Sequence, residues 1–270
     1  MKYFKYEFKE AAKVPLMFFL ISIFASLNFG VFIRMASNDD MPFLYTMISS
    51  VLLGVSLGAV NIGTFVINLK RYWNTIYSEQ GYFTHTLPID TRVIYWSKVI
   101  TATIWSIIGA IVSLIDMLII IIISDDNVID DIKYIFEHLD EVNERVYALN
   151  GTTLFGFVVW LGIAGILGTI CGYIMIYVSM AFGNLANKRK KALGTVAFIG
   201  LYIVMVNFAR LAGEAIESSG SFERIAYIDG HKYYSTNVPA VALFLIIAIL
   251  IFGAIFYIIN RYLIRHKLNI

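Results

Sequence analysis

The chain has 270 residues, of which 59% are hydrophobic and 15% are charged. A soluble protein is typically about 45–50% apolar and about 25% charged, so this chain lacks the charged surface that a soluble fold needs. The composition therefore predicts an integral membrane protein. The net charge is +2, and the single cysteine, Cys171, lies in an apolar run. A single cysteine excludes an intrachain disulfide, and its setting indicates no thiolate metal site.

The first segment, residues 1–14, mixes four lysines with the aromatic residues Tyr3, Phe4, Tyr6 and Phe8. This mixture is typical of an amphipathic helix in the headgroup layer, with its rings in the membrane and its ammonium groups in water. An irregular basic tail is the alternative. The apolar run that follows is too long for the h-region of a signal peptide, so we expect the segment to be retained.

Six apolar runs are each long enough to cross a bilayer, which takes roughly 20 mainly apolar residues. They are residues 15–33, 44–67, 99–123, 154–182, 192–211 and 239–259. The sequence therefore predicts an all-α integral membrane protein whose six spans form one transmembrane domain, residues 15–270. Glycines in the second and fourth runs would let helices pack closely, either within one subunit or across a dimer interface.

Basic residues predict the orientation, because lysine and arginine are concentrated in cytoplasmic loops. Most of the chain's 21 basic residues fall in the N-terminal segment, the loop 69–98, the loop 183–191 and the C-terminal segment. This side is therefore predicted to be cytoplasmic, and both termini lie there. The outer loops are then residues 124–150 and 212–238.

The first outer loop is acidic, and its apolar residues recur at three- and four-residue steps. This pattern predicts an amphipathic helix whose acidic start is favourable to the helix dipole. The acidic face either is simply solvated or attracts cationic substrates. The second outer loop is polar, and Gly220 and Gly230 mark turns in it.

The sequence carries no sign of enzymatic chemistry, because it lacks a phosphate-binding P-loop, HExxH and GxSxG. Its four histidines stand in four different segments without partners at ligand spacing, so no metal site is predicted. Charge within the spans is scarce, and it includes Asp116 and Arg210. A charge at mid-membrane depth costs about 2.5–3.5 kcal/mol, so we expect these two residues to form an ion pair. A proton relay is the alternative.

The stretch RYWNTIYSEQGYFTHTLPIDTRVIYWSK, residues 71–98, connects the second and third predicted spans. It resembles a loop in the membrane subunit of ABC-2 type ABC transporters, relatives of the ABCG-like exporters. In that family the loop commonly reads E-x-G, a short amphipathic helix, then L-P and a polar turn. The residues that fit are Glu79, Gly81, Leu87, Pro88 and Ser97–Lys98. The resemblance to this family extends over the whole chain. Members of the family also have a basic N-terminal helix, six spans and cytoplasmic termini.

The resemblance implies that the loop is a coupling helix seated in a groove of a separate ATPase subunit. A short helix ended by Pro88 would be rigid enough to transmit motion. The residues implied to contact the ATPase are Tyr77, Glu79, Gly81, Tyr82, Phe83, Leu87 and Pro88. An ordinary interfacial loop, with its aromatic side chains resting on the bilayer, is the alternative.

The resemblance also implies two permease subunits and two ATPase subunits, with ATP and magnesium bound to the ATPases. The implied translocation path is lined by the second and fifth spans, with candidate residues Asn61, Thr64, Asn68, Asn207 and Arg210. The expected function is export of a drug-like molecule, a peptide or a lipid across the bacterial cytoplasmic membrane. Membrane lipid is an expected partner and nucleic acid is not. A secondary transporter and a non-transporting sensor or immunity component are the alternatives.

Overall fold

The computed structural model describes residues 2–36, 43–78, 90–125, 127–186, 188–218, 220, 223–228 and 231–266. The chain divides into two compact units, Met1–Tyr134 and Ile135–Ile270. Each unit forms its own helical assembly.

Unit 1 contains three long helical segments that pack along one another. They are α1 (Lys2–Ala36), then α2 (Phe43–Gly58) with a π-helical turn (Ala59–Gly63) and α3 (Thr64–Tyr77), and finally α4 (Thr91–Ser124). The central residues of these segments are mainly apolar, as the hydrocarbon layer of a bilayer requires. Glu7 and Gly30 of α1 meet the early and late parts of α4 respectively, so α1 and α4 are parallel. The middle segment is antiparallel to both.

The core of unit 1 is aromatic where α1 crosses α4. Phe8 stacks on Trp105 with ring centroids 5.2 Å apart, and Phe19 lies on the same indole at 6.2 Å. Val60 from the π turn completes the cluster, and its side chain is fully buried. Val60 packs directly against α4 at Gly109, because a Cβ on this glycine would be in ordinary van der Waals contact with the Val60 side chain at 3.6 Å.

The α1 helix is continuous from Lys2 to Ala36, and Pro15 lies inside it. The sequence predicted a separate interfacial helix over residues 1–14, but helical backbone continues through that boundary. Ala11 is 2% exposed and belongs to the aromatic core. Helix packing therefore holds this end of α1 against α4, whereas its position relative to a membrane stays a prediction.

Unit 2 contains three long helices, α7 (Leu154–Asn184), α8 (Lys190–Glu217) and α9 (Val238–His266). Gly168 faces Ile249 and Gly253 faces Cys171, so α7 and α9 run in the same direction. The α8 helix returns antiparallel to α7 after a short turn. As a result, the α7–α8 turn and the last residues of α9 lie on one side of the unit.

The opposite side of unit 2 carries a small cap made of α6 (Leu139–Asn150) and a strand pair. In the sequence, the boundary between the two units falls within α5 (Val128–Glu137), and α6 belongs to unit 2. Strands β1 (Glu223–Ile228) and β2 (His231–Thr236) form an antiparallel hairpin. The Arg224 guanidinium lies 5.3 Å from the centre of the Tyr147 ring, which joins the hairpin to α6. This cap sits over the starts of α7 and α9.

Capping side chains fix where α7 begins. The backbone N–H of Leu154 donates to Asn143 Oδ1 at 2.9 Å, and Gly156 N–H donates to Thr153 Oγ1 at 3.0 Å. Such bonds satisfy N–H groups that have no partner within the helix.

Each of the six predicted spans overlaps a helical segment that is long and apolar enough to cross a membrane. These segments are Tyr3–Ala36, Met47–Tyr77, Thr91–Ser124, Leu154–Asn184, Lys190–Ala215 and Val238–Arg265. Large apolar side chains such as Leu20 and Phe155 point outward and are 71% and 77% exposed. An apolar exterior of this kind is suited to lipid, so the chain is a multi-pass membrane protein.

Candidate functional site

A buried group of charges joins all three helical segments of unit 1 at one end. One Glu7 carboxylate oxygen lies 2.8 Å from Arg71 Nη2, and the other lies 2.7 Å from Lys98 Nζ. The Glu7 and Lys98 side chains are 10% and 6% exposed, and Arg71 is 20% exposed. We call these three residues the Glu7 cluster. A single carboxylate of α1 therefore holds a cation from α3 and a cation from α4.

Further hydrogen bonds tie the cluster to helix backbones. Arg71 Nη2 also donates to the Glu7 carbonyl at 3.2 Å, and Lys98 Nζ donates to Thr75 Oγ1 at 2.9 Å. The Thr75 hydroxyl in turn donates to the Arg71 carbonyl, one helical turn earlier, at 2.8 Å. The three segments are thus bonded pairwise, including α3 to α4.

Burial makes the Glu7 cluster important for the stability of unit 1. Taking charges out of water costs several kcal/mol per ion, and close pairing with additional hydrogen bonds offsets that cost. Losing one partner leaves a buried charge without compensation, which typically destabilises a fold by about 3–5 kcal/mol. Movement of any one segment away from the other two would therefore be strongly opposed.

A layer of tyrosine rings lies beside the Glu7 cluster. Tyr72 is fully buried, and its ring makes edge contacts with Tyr77 at 5.9 Å and with Tyr95 at 6.3 Å. Tyr77, one of the residues implied to contact an ATPase, also packs on Trp73 at 5.4 Å. Its ring therefore contacts its own unit. Contact with a partner stays a prediction.

The segment between α3 and α4 has two well-defined ends. Helix α3 ends at Tyr77, followed by Ser78 in an extended conformation, and Ser78 Oγ donates to the Asn74 carbonyl. Asp90 caps α4 by accepting from the Arg92 backbone N–H at 2.9 Å. The other residues implied to contact an ATPase lie outside the described residues: Glu79, Gly81, Tyr82, Phe83, Leu87 and Pro88.

The candidate path residues of the second span occupy two different environments. Asn61 is exposed in the π turn, and its side-chain amide donates to Ser113 Oγ on α4 at 3.0 Å. Thr64 and Asn68 are 1% and 5% exposed, so they lie inside unit 1. Asn61 is therefore at the surface of unit 1, whereas Thr64 and Asn68 are not. Their role in a path stays a prediction.

The candidate path residues of the fifth span are both exposed on α8. The Asn207 amide donates to the Ile203 carbonyl at 2.8 Å, which is a local bond within the helix. Arg210 Nε lies 3.7 Å from a carboxylate oxygen of Glu214, also on α8.

Asp116 is fully buried where α4 meets α1, and Ser26 Oγ donates to its carboxylate at 3.1 Å. Arg210 belongs to unit 2 and has the Glu214 carboxylate nearby. Each residue therefore has a polar neighbour in its own unit. The ion pair between Asp116 and Arg210 stays a prediction.

Within the described ranges, no group of three or more His, Cys, Asp or Glu side chains could hold a metal ion. The Glu7 cluster is the most strongly organised polar site found among those ranges. The sequence reasoning counted its charges only as topology signals. The missed signal was an acid at position 7 among lysines, one helical turn before the small residue Ala11. This spacing places Glu7 on the packed face of α1.

Comparison with known proteins adds no family assignment. No protein-family model matches the chain, and neither a curated protein nor a solved structure matches it.

Proposed function

We propose that this chain is the permease subunit of an ATP-driven ABC-2 type exporter in a bacterial cytoplasmic membrane. It works with a separate ATPase subunit that binds ATP and magnesium, and with a second permease. The exported substrate is a drug-like molecule, a peptide or a lipid. Both termini and the 69–98 loop are cytoplasmic in this proposal, and the loop is the contact with the ATPase.

The Glu7 cluster is the observation that carries this proposal. A permease driven by another subunit needs its contact loop to be attached to helices that do not move independently of one another. The loop here leaves α3 seven residues after Arg71 and, after Pro88, enters α4 seven residues before Lys98. Both cations are held by Glu7. A push on the loop would therefore move α1, α3 and α4 together.

Helix continuity would carry that motion across the membrane. The α1 helix has 35 residues, which corresponds to about 50 Å at 1.5 Å per residue. It is parallel to α4, whose 34 residues have a similar length. Displacement at the Glu7 end would therefore reach the opposite end of both helices. This mechanical design favours an externally driven permease over a static membrane anchor.

The first test is whether an ABC ATPase co-purifies with the chain. Gentle purification of the tagged chain from its own membranes should recover an ABC ATPase, and ATP should drive substrate export in the reconstituted complex. Recovery of the chain without an ATPase, in extracts where control membrane complexes stay intact, would overturn the proposal.

The role of the Glu7 cluster can be tested with a matched pair of substitutions. Glu7→Gln removes the buried carboxylate, whereas Glu10→Gln removes an exposed one on the same helix, where it pairs with Lys13. At a temperature where both variants are folded, Glu7→Gln should lower the substrate moved per ATP hydrolysed. Glu10→Gln should behave as wild type. Equal coupling ratios in the two variants would remove the Glu7 cluster from the mechanism.

A peptide-binding sensor or immunity component is the second candidate, and the acidic helix α5 favours it. Helix α5 starts with Asp130 and Asp131 in its first turn and leaves Tyr134 and Phe136 63% and 70% exposed. An acidic helix with exposed aromatic rings is suited to a cationic amphipathic peptide. Saturable peptide binding to a chain that neither recruits an ATPase nor transports substrate would favour this function.

A further inference from the structure

Four consecutive cations stand where the α7–α8 turn meets α8: Lys188 and Arg189 end the turn, and Lys190 and Lys191 are the first residues of α8. We call these four residues the basic turn. All of them are exposed. The turn joins two candidate membrane spans, so it lies where those helices leave the apolar layer. Its side chains are therefore at the level of lipid headgroups.

No carboxylate within the described part of the chain pairs with the basic turn. The ion pairs in that part of the chain involve other cations, and the first turn of α8 contains no acidic residue. The start of a helix carries a partial positive charge. That partial charge adds to the charge of Lys190 and Lys191, so the local potential favours an anion.

Close packing holds the basic turn in place. A Cβ on Gly183 would stand 2.5 Å from the Lys190 carbonyl and 3.0 Å from Gly194 Cα, so α7 and α8 touch here. Arg189 has a φ of 55°, a left-handed conformation that is uncommon for a residue with a side chain. The backbone at the start of α8, from which Lys190 and Lys191 project, is thus packed closely against α7.

Two further cations lie on the same side of unit 2. Helix α9 runs parallel to α7 and carries Arg261 and Arg265 in its last two turns, both exposed. A basic surface is therefore presented at the ends of the unit's three long helices.

We propose that the basic turn binds the headgroups of anionic phospholipids in the adjacent leaflet. Charge complementarity and membrane position select this partner, because polybasic segments beside membrane helices attract anionic lipid. Each lysine or arginine near such a surface contributes about fivefold to affinity. The inference does not depend on the proposed transport function. An acidic surface of an ATPase is the competing occupant, and the experiment separates the two.

The test uses the full chain, purified in detergent and freed of lipid. Phosphatidylglycerol and phosphatidylcholine are titrated separately, and bound lipid is counted by native mass spectrometry. The double variant Lys190→Gln/Lys191→Gln should bind phosphatidylglycerol roughly 20- to 30-fold more weakly than wild type. The charge-matched control Lys133→Gln/Lys232→Gln alters α5 and β2 and should bind like wild type.

Two more measurements keep the proposal falsifiable if the double variant folds poorly. Lys190→Arg/Lys191→Arg preserves both charges and should preserve binding. For wild type, raising the ionic strength from about 0.1 to about 1 M should weaken binding, because the Debye length falls from about 10 to about 3 Å. Equal affinity of wild type for the two lipids would overturn the proposal. So would unchanged phosphatidylglycerol binding by the glutamine variant, even if that variant lost an ATPase.

Discussion

Lys98 Nζ of α4 lies 2.7 Å from a Glu7 carboxylate oxygen of α1, and both side chains are largely buried. These residues are 91 positions apart in sequence, yet their helices run parallel and meet at the same end. Arg71 approaches the other oxygen of the same carboxylate at 2.8 Å. The end of unit 1 beside the 78–90 connection is therefore held by charge as well as by apolar packing.

Removing the Glu7 carboxylate should destabilise the chain. Glu7→Gln leaves two buried cations without an anion, which should cost about 3–5 kcal/mol of unfolding free energy. Thermal unfolding in detergent measures this loss. The double variant Glu7→Gln/Lys98→Gln should lose less than the sum of the single losses, because one orphaned charge is then absent. Additive losses would show that the two side chains do not interact.

Glycine substitutions should separate helix packing from helix propensity in α7. Gly183→Ala places a methyl group 2.5 Å from the Lys190 carbonyl, so backbone must move, at a typical cost of about 1–3 kcal/mol. Gly172 has nothing within 4 Å of its Cβ position. Gly172→Ala should therefore be neutral or stabilise the chain by up to about 1 kcal/mol. Thermal unfolding of the two variants in the same detergent decides this. Equal stability would contradict the tight α7–α8 junction.

The predicted pairing of Asp116 with Arg210 can be tested by charge rescue. If the two residues pair, Asp116→Asn and Arg210→Gln should each lower the membrane yield of the chain. The double variant should recover part of the loss, because neither charge is then left alone. The alternative is that Asp116 is held by Ser26 alone. Arg210→Gln would then have little effect, and the double variant would resemble Asp116→Asn.

The proposed orientation predicts which side of the membrane each loop occupies. Ser78 follows the end of α3, which lies beside the start of α4, and Asn127 follows the end of α4, so the two should lie on opposite sides. The native Cys171 is buried and should give little background. A cysteine at Asn127 should react with an impermeant thiol reagent in intact cells, and one at Ser78 should not. Labelling of Ser78 from outside would reverse the topology and exclude the ATPase contact.

Most of the membrane architecture could be read from the sequence. A span of about 20 apolar residues is a local property, so all six segments were predicted. The strand pair was not. Its sequence signal is the Asp229–Gly230 dipeptide between residues rich in tyrosine and isoleucine, which is typical of a hairpin turn. The prediction placed a turn at Gly230 but no strands beside it, so the antiparallel pairing of β1 with β2 was missed.

The Glu7 cluster could not be predicted with the same ease, because it depends on tertiary contacts. The charges of Arg71 and Lys98 are visible in the sequence as flanking charges of two spans. Their convergence on Glu7 requires α1 to pack against both of the segments that carry them. Likewise, the sequence grouped Thr64 and Asn68 with Asn61, but helix packing buries the first two and leaves Asn61 exposed.

The most direct test of the account is ATPase binding by the chain with an altered 78–90 connection. Tyr82→Ala/Phe83→Ala removes two candidate contact rings, each expected to contribute roughly 1–3 kcal/mol if it anchors the interface. Recovery of the ATPase in a pull-down, normalised to the amount of chain, is the measurement. The account predicts near-normal membrane levels, strongly reduced ATPase recovery and reduced transport-linked ATP hydrolysis. Lower membrane levels with undiminished ATPase recovery would contradict it, because the rings would then rest on the bilayer.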